Sequence, residues 1–172
     1  MIYPNGHIDY RVYKNGTELV GIARVKMPTI KYKTVTTEGA GLMGGVEIPL
    51  SGMIEPMSIE IDFLSCTDAI IELGSNEWHD IALYEAFQFF DGVTRTEELS
   101  ADRFELSIRP TETNLGTIAT ASAADASGTY SVCKYQVYKD GEKVIDIDQF
   151  NTIHDVGGVD NAAKLRSALG MM

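Results

Sequence analysis

The chain is 172 residues long, 44 % hydrophobic and 23 % charged, a composition that supports one globular domain with a sizeable core. No apolar run reaches the ~20 residues that a membrane-spanning helix requires, so no membrane anchor is expected. The opening Met1–His7 lacks the basic and then apolar pattern of a secretory signal. With 25 acids against 14 bases the net charge is −11, the wrong sign for a protein that grips nucleic acid by its phosphates.

The charge is unevenly placed. Residues 1–33 carry six bases against two acids, whereas 38–112 carry sixteen acids against Arg95, Arg103 and Arg109 alone. A chain divided in this way can attract copies of itself head to tail; by charge alone, solvated faces without a partner are the simpler reading. Two cysteines, Cys66 and Cys133, do not make a disulfide framework and read as buried thiols of a reducing compartment.

In chain order, strand patterns dominate. Tyr10–Lys14 alternates and runs into Asn15-Gly16, a dipeptide suited to the type I′ hairpin because both central positions need positive φ. Thr17–Ile22 is the predicted return strand. Residues 39–56 hold five glycines, Met43, Met53 and Pro49 and read as an irregular binding element or loop. Ser58–Leu64 alternates, with Ile59, Ile61 and Phe63 on one face and Ser58, Glu60 and Asp62 on the other. Thr67 is placed to cap a short helix that ends at Gly74. The aromatics of Trp78–Phe90 predict a strand, although Leu83–Ala86 would tolerate a helix. Phe104, Leu106 and Ile108 then alternate with Glu105, Ser107 and Arg109, and 116–128 is a second irregular, small-residue stretch.

Near the end, Ser131, Cys133, Tyr135 and Val137 are expected to share a face up to a second turn, Asp140-Gly141. In the return strand Lys143, Ile145 and Ile147 oppose Val144, Asp146 and Asp148. Asp160 is the expected cap of a C-terminal helix over 161–169, with Lys164 and Arg166 late, where the dipole favours cations, and Gly170 past its end. Both hairpins carry Tyr-x-Val-Tyr-Lys-Asn/Asp-Gly and together argue for antiparallel β structure.

Catalytic and cofactor chemistry finds no foothold in the sequence. Gly39-Ala-Gly41-Leu-Met-Gly44 has the spacing of a dinucleotide fingerprint, but that motif must open a helix that receives the pyrophosphate. Here Gly45, Val46, Ile48 and Pro49 follow, and no helix can start. His7, His79 and His154 are scattered, without metal-ligand spacing, and read as exposed or half-buried singles. No nucleophile elbow is present, and acidic pairs such as Glu97-Glu98 read as solvated loop. No cofactor or metal is expected, and no enzymatic activity.

Three stretches carry a family likeness. The first is Tyr13-Lys-Asn-Gly-Thr-Glu-Leu-Val-Gly-Ile-Ala-Arg-Val-Lys-Met-Pro28, and the second is Gly39-Ala-Gly-Leu-Met-Gly-Gly-Val-Glu-Ile-Pro49 with Met57-Ser-Ile-Glu-Ile61. The third is Ser131-Val-Cys-Lys-Tyr-Gln-Val-Tyr-Lys-Asp-Gly-Glu-Lys-Val-Ile-Asp-Ile-Asp148, then Asn151-Thr-Ile and Gly158-Val-Asp-Asn161. In this order they resemble the major tail tube proteins of contractile-tailed phages, the family that also supplies the tube of R-type bacteriocins. The likeness is weakest over 92–128.

The resemblance implies a mainly β chain: one antiparallel β-sandwich or barrel-like domain over 1–172 with one or two short helices, the last at 160–170. It implies hexameric rings stacked into a tube, each subunit lending strands to a shared inner barrel. The expected partners are further copies of the chain, a contractile sheath, and baseplate and tail terminator proteins, with DNA only as non-specific cargo in the channel. The expected location is a phage tail or bacteriocin particle assembled in the bacterial cytoplasm. The long segment at about 34–56 is expected to contact the adjacent ring through Glu38, Gly39, Gly41, Leu42, Met43, Gly44 and Gly45. Glu60, Asp62, Asp146 and Asp148 are expected to line the channel, as a wall that repels phosphate. Two other readings stand beside it: a tail-completion or hub protein of the same fold, and a soluble ligand-binding β-domain using Gly39–Gly45. The second of these would remain monomeric.

Overall fold

The computed structural model describes residues 1–171. Twelve strands and two short helices follow one another: β1 (Ile2–Lys14), β2 (Thr17–Glu18), β3 (Ile22–Lys26), β4 (Tyr32–Thr37), β5 (Val46–Ile54), β6 (Met57–Phe63), α1 (Asp68–Leu73), β7 (His79–Asp91), β8 (Thr96–Asn114), β9 (Ala126–Lys139), β10 (Glu142–Asp148), β11 (Ile153–Val156), β12 (Val159–Asp160) and α2 (Ala163–Ala168). Every strand pairing is antiparallel. The chain is mainly β, as its alternating pattern predicts, and Trp78–Phe90 resolves as strand β7.

Ten strands make one sheet in the order β12-β11-β10-β9-β8-β7-β1-β2, with β6 and then β3 branching from β9. The branch exists because β9 divides one edge: Ala126 to Val132 pair with β6, and Lys134 to Lys139 pair with β10. The other edge of β9 follows β8 along its length. Apolar residues from β1, β6, β7, β8, β9 and β10 converge on one core, including Val12, Ile59, Ile61, Phe63, Leu83, Leu106, Ile108, Tyr130, Val132, Val137 and Ile147. Helix α1 contributes Ala69, Ile70 and Leu73 to it. Val25 and Met27, from β3 and just after it, line a shared groove with Tyr10, Leu83 and Phe104, so the branch folds back over the main leaf.

Both turn dipeptides behave as their chemistry requires. Asn15 and Gly16 have φ of 50° and 79°, and Asp140 and Gly141 have 48° and 84°. The first return strand is shorter than expected, since β2 ends at Glu18 and Gly21, with φ of 91°, redirects the chain into β3. Two bulges also correct the predicted faces. In β9 the register slips between Ser107 and Ile108 of β8, so Val132 and Tyr135 both face the core and Ser131 lies on the opposite side from Tyr135. In β10 the slip falls at Val144, which moves Lys143 to the face of Asp146. One extra residue in a strand reverses all alternation beyond it, and no simple period carries that information.

Other expectations need correction. Residues 46–54 form strand β5, with a register irregularity between Pro49 and Ile54, so within the expected irregular segment only 39–45 and 55–56 lie outside strands; in the other such stretch, β9 already begins at Ala126. The N-cap of α2 is Ala162, because β12 still holds Asp160; Asp160 instead accepts from the Ala162 amide at 3.0 Å and pairs with Arg166. Thr67 occupies the N-cap of α1 without a side-chain capping bond. His79 and His154 are buried, and Cys66 is exposed between β6 and α1 while Cys133 is buried.

Inside the core the ring of Tyr130 folds over Gly128, where a Cβ would overlap the phenol. The Tyr130 hydroxyl is buried without a partner, and burial pushes its pKa up to about 12. Gly128→Ala is therefore expected to lower stability by ~1–3 kcal/mol through overpacking, measured by urea unfolding. Tyr130→Phe removes an unsatisfied hydroxyl and is expected to be neutral or stabilising. Combined with Gly128→Ala, it recovers part of the loss.

Candidate functional site

Strands β4 and β5 form a two-stranded hairpin outside the main sheet. Val35 faces Ile48 and Thr37 faces Val46, while Thr34, Thr36 and Glu47 occupy the other side. That second side is polar, and the Thr34 hydroxyl donates to the Glu47 carboxylate. Val35, Val46 and Ile48 are each about half exposed. The predicted contact residues Glu38, Gly39, Gly41, Leu42, Met43, Gly44 and Gly45 all come together at the hairpin tip, where Met43 stands fully exposed. The tip turns through positive φ at Gly41 and Gly44 and leads into β5. Its glycines thus serve a reversal of strand direction and not the entry to a helix.

The base of the hairpin is fixed to the C-terminal elements. Gly52, at φ 72°, lies so close to Ala162 that a Cβ would come within 3.0 Å of the Ala162 Cα. Tyr32 stacks at a tilt on His154, with ring centroids 5.4 Å apart. His154 is almost fully buried and neither ring nitrogen has a hydrogen-bond partner. Burial lowers its pKa below the ordinary 6.5, and the nearby Asp160 carboxylate opposes that shift.

The four acids predicted to line a channel share the solvent side of the main sheet. Glu60 and Asp62 sit opposite the buried Ile59, Ile61 and Phe63 on β6, and Asp146 and Asp148 flank the buried Ile147 on β10. None of them is a bare charge. Asp62 meets Arg24 at 2.7 Å and Glu60 meets Lys26 at 3.3 Å. Asp146 accepts from Gln136 and Lys143, both at 2.9 Å, and Asp148 accepts the amides of Phe150 and Asn151 in a turn. The pKa of Asp146 is lowered because these hydrogen bonds and the Lys143 and Lys134 charges together outweigh its desolvation.

A third surface lies outside the residues that the sequence pattern singles out. Beyond the core, β1, β7 and β8 continue as a three-stranded ribbon over 2–9, 85–91 and 96–102. On its core-side face Phe87 and Phe89 pack at 5.0 Å and the His7 ring meets Phe87 edge-on at 5.2 Å. The sequence signal was available in Phe87-Gln-Phe89, an alternation that continues past the last buried position, Leu83. Among the described residues no group of three His, Cys, Asp or Glu side chains is placed to hold a metal ion, and no helix is long and apolar enough to cross a membrane.

The family model described as "Phage tail tube protein FII" matches residues 7–170. The tail tube protein of Escherichia phage P2 is 26 % identical over 164 residues, which cover 93 % of this chain and 94 % of that one. Among solved structures, one tube-complex chain has the same fold, from the sheath-tube complex of an extracellular contractile injection system (PVC) in its extended state. Its TM-score is 0.52 and its identity 18 %, with 75 % of this chain and 87 % of the other covered. A chain from the sheath/tube terminator of that system has a TM-score of 0.54 and 16 % identity, covering 79 % of this chain and 97 % of the other.

The burial of an unpartnered imidazole has a consequence in solution. A histidine whose folded pKa is depressed stabilises the fold fully above its unfolded value, and that contribution is lost as pH falls below about 6.5. Urea unfolding between pH 7.5 and 5.5 is expected to show a loss of stability that His154→Phe diminishes. Equal slopes for the two proteins would show that His154 is already solvated.

Proposed function

The chain belongs to the phage tail tube protein FII family, and on that premise we propose how this tail tube subunit builds its tube. Copies associate into hexameric rings, and rings stack into the inner tube of a contractile phage tail or related injection particle. The role is structural and not catalytic. A sheath surrounds the tube, a terminator caps it, and assembly takes place in the bacterial cytoplasm. Support for sheath and terminator partners comes from the fold shared with chains of such complexes.

The observation that carries the assembly is an open sheet edge. The outer edge of β1 is paired at Tyr13 and Lys14 through β2, and Val12 accepts from the Leu19 amide at 2.8 Å, which among the described residues leaves 2–11 of a thirteen-residue strand free on that side. An exposed edge of this length promotes association unless it is covered, and strand exchange around a closed ring removes it. The hairpin tip at Glu38–Gly45 supplies the contact to the adjacent ring, where Met43 and the surrounding glycines can conform to a neighbouring surface.

Glu60, Asp62, Asp146 and Asp148 face the channel in this arrangement. Their ion pairs with Arg24, Lys26 and Lys143 make the wall close to neutral at short range instead of strongly repulsive. A neutralised wall neither binds DNA nor excludes it, which suits passage of a long polyanion as non-specific cargo.

Two measurements test this reading. Purified protein at high concentration is expected to form rings or tubes of uniform width in negative-stain images. Monomer alone in the ultracentrifuge, across salt concentrations, would remove the tube assignment and favour a monomeric binding domain. Glu60→Lys with Asp62→Lys leaves Arg24 and Lys26 unpaired beside two new cations, a basic ring at each level of the channel. Such tubes are expected to retain DNA at low salt and release it as salt rises; tubes that bind none place these residues outside the channel.

A further inference from the structure

Among the described residues the hairpin β4–β5 pairs with no strand of the main sheet, so its orientation depends on a few contacts at its base. Ile30 and Ile54 pack against the core, Gly52 lies against Ala162, and the Ser51 hydroxyl donates to the Asn161 carbonyl at 3.5 Å. Tyr32 rests on the His154 ring. Met53 and Ile54 from β5, Leu165 from α2 and His154 from β11 line a cavity of about 370 Å³ at this junction.

The junction has no place for an imidazolium. His154 is 2 % exposed, and neither ring nitrogen has a hydrogen-bond partner among the described residues. The other buried histidine, His79, differs, since its Nε2 lies 3.0 Å from the Ser75 carbonyl oxygen. The carboxylates around His154 are already engaged: Asp160 of β12 with Arg166 of α2 and the Ala162 amide, and Asp148 of β10 with the Phe150 and Asn151 amides. Arg166 also donates to the Thr152 carbonyl at 2.8 Å, which keeps a cation at this end of the molecule. Asp155 lies on the other face of β11 by alternation. From the hairpin, β5 brings no charge to the cavity, and Lys31 and Lys33 flank Tyr32 in exposed positions. We propose that His154 is an acid-sensitive latch: protonation of its ring releases Tyr32 and lets the hairpin swing off β11 and α2 while the main sheet stays folded. The latch is a property of the single subunit and holds whether or not copies assemble. With the hairpin docked, burial holds the imidazole below its ordinary 6.5 against the opposing effect of Asp160; released into water, it returns to that value. The docked state is therefore fully favoured above pH 6.5 and loses ground as pH falls below it, so the released fraction rises up to about tenfold between pH 7.5 and 5.5.

Hydrogen exchange of the full-length protein, dispersed at low concentration and corrected for the intrinsic effect of pH, tests the latch. A two-stranded hairpin freed from its base is marginal in water, so its amides exchange from the released state. At pH 7.5 the amides of β4 and β5 are expected to be less protected than those of β8 and β9, and at pH 5.5 to lose up to about tenfold more. Low urea is expected to leave hairpin exchange unchanged while speeding exchange in β8 and β9, because release exposes little surface. His154→Phe and His154→Gln each remove the titrating group, and hairpin protection in either is expected to be equal at the two pH values. If phenylalanine prevents folding, the glutamine variant decides. A hairpin that shares the protection and urea dependence of β8 and β9 overturns the proposal, because the elements then open only together. So does a pH effect on the hairpin that survives both substitutions, or the lack of one in the wild type.

Discussion

Strand β9 has more hydrogen-bonding partners than any other element, and the architecture follows from how it shares them. One edge is given wholly to β8, and the other to β6 first and β10 afterwards. The bulge at Cys133–Lys134 makes this possible, since it adds local twist between the two halves. It also keeps Val132 and Tyr135 on the same side of the sheet. Without that extra residue, one half of β9 would turn its apolar side chains to solvent, and either the β6 branch or the β10–β12 edge would lose its core contacts.

Much of this was legible in the sequence, for identifiable reasons. The alternation of Met57–Phe63 specified both the strand and its buried face, because β6 is short and unbulged. Asn15-Gly16 and Asp140-Gly141 specified two turns because few other dipeptides tolerate positive φ in succession. The bulges were not legible, since a slip of register depends on the partner strand and not on the residues that slip. Hairpin strand β5 was obscured because its glycines and proline signal loop while Val46 and Ile48 signal strand, and its partner β4 lies across the tip. The burial of His154 was hidden for a related reason: its ring packs against Tyr32, which is distant in sequence. Family likeness over the three quoted stretches pointed to the tube assignment, which residue chemistry alone would not have reached.

The acids show how a correct face can carry an incomplete electrostatic meaning. Glu60, Asp62, Asp146 and Asp148 do lie on the solvent side, as alternation requires. Their cationic partners come from β3 and, through the Val144 bulge, from Lys143 on the same strand. Net charge therefore overstates the field near this surface. The unbalanced negative charge lies elsewhere, including the Glu97-Glu98 region of the ribbon, where it can act on another molecule.

The division of β9 between two partners also dictates when the chain can fold as it leaves the ribosome. Neither β1 nor β6 has its main partner among the residues that precede α1: β1 waits for β7, and β6 waits for β9. At about 5–20 residues per second, the interval between the end of β6 and the start of β9 is roughly 3–13 s. During that time β1 can join β7 and β8, but β6 has only β3 beside it, and the edge that β9 will take stays unpaired. A nascent subunit thus lacks its finished core until β9 has been made, so vectorial synthesis itself delays polymerisation on the translating polysome.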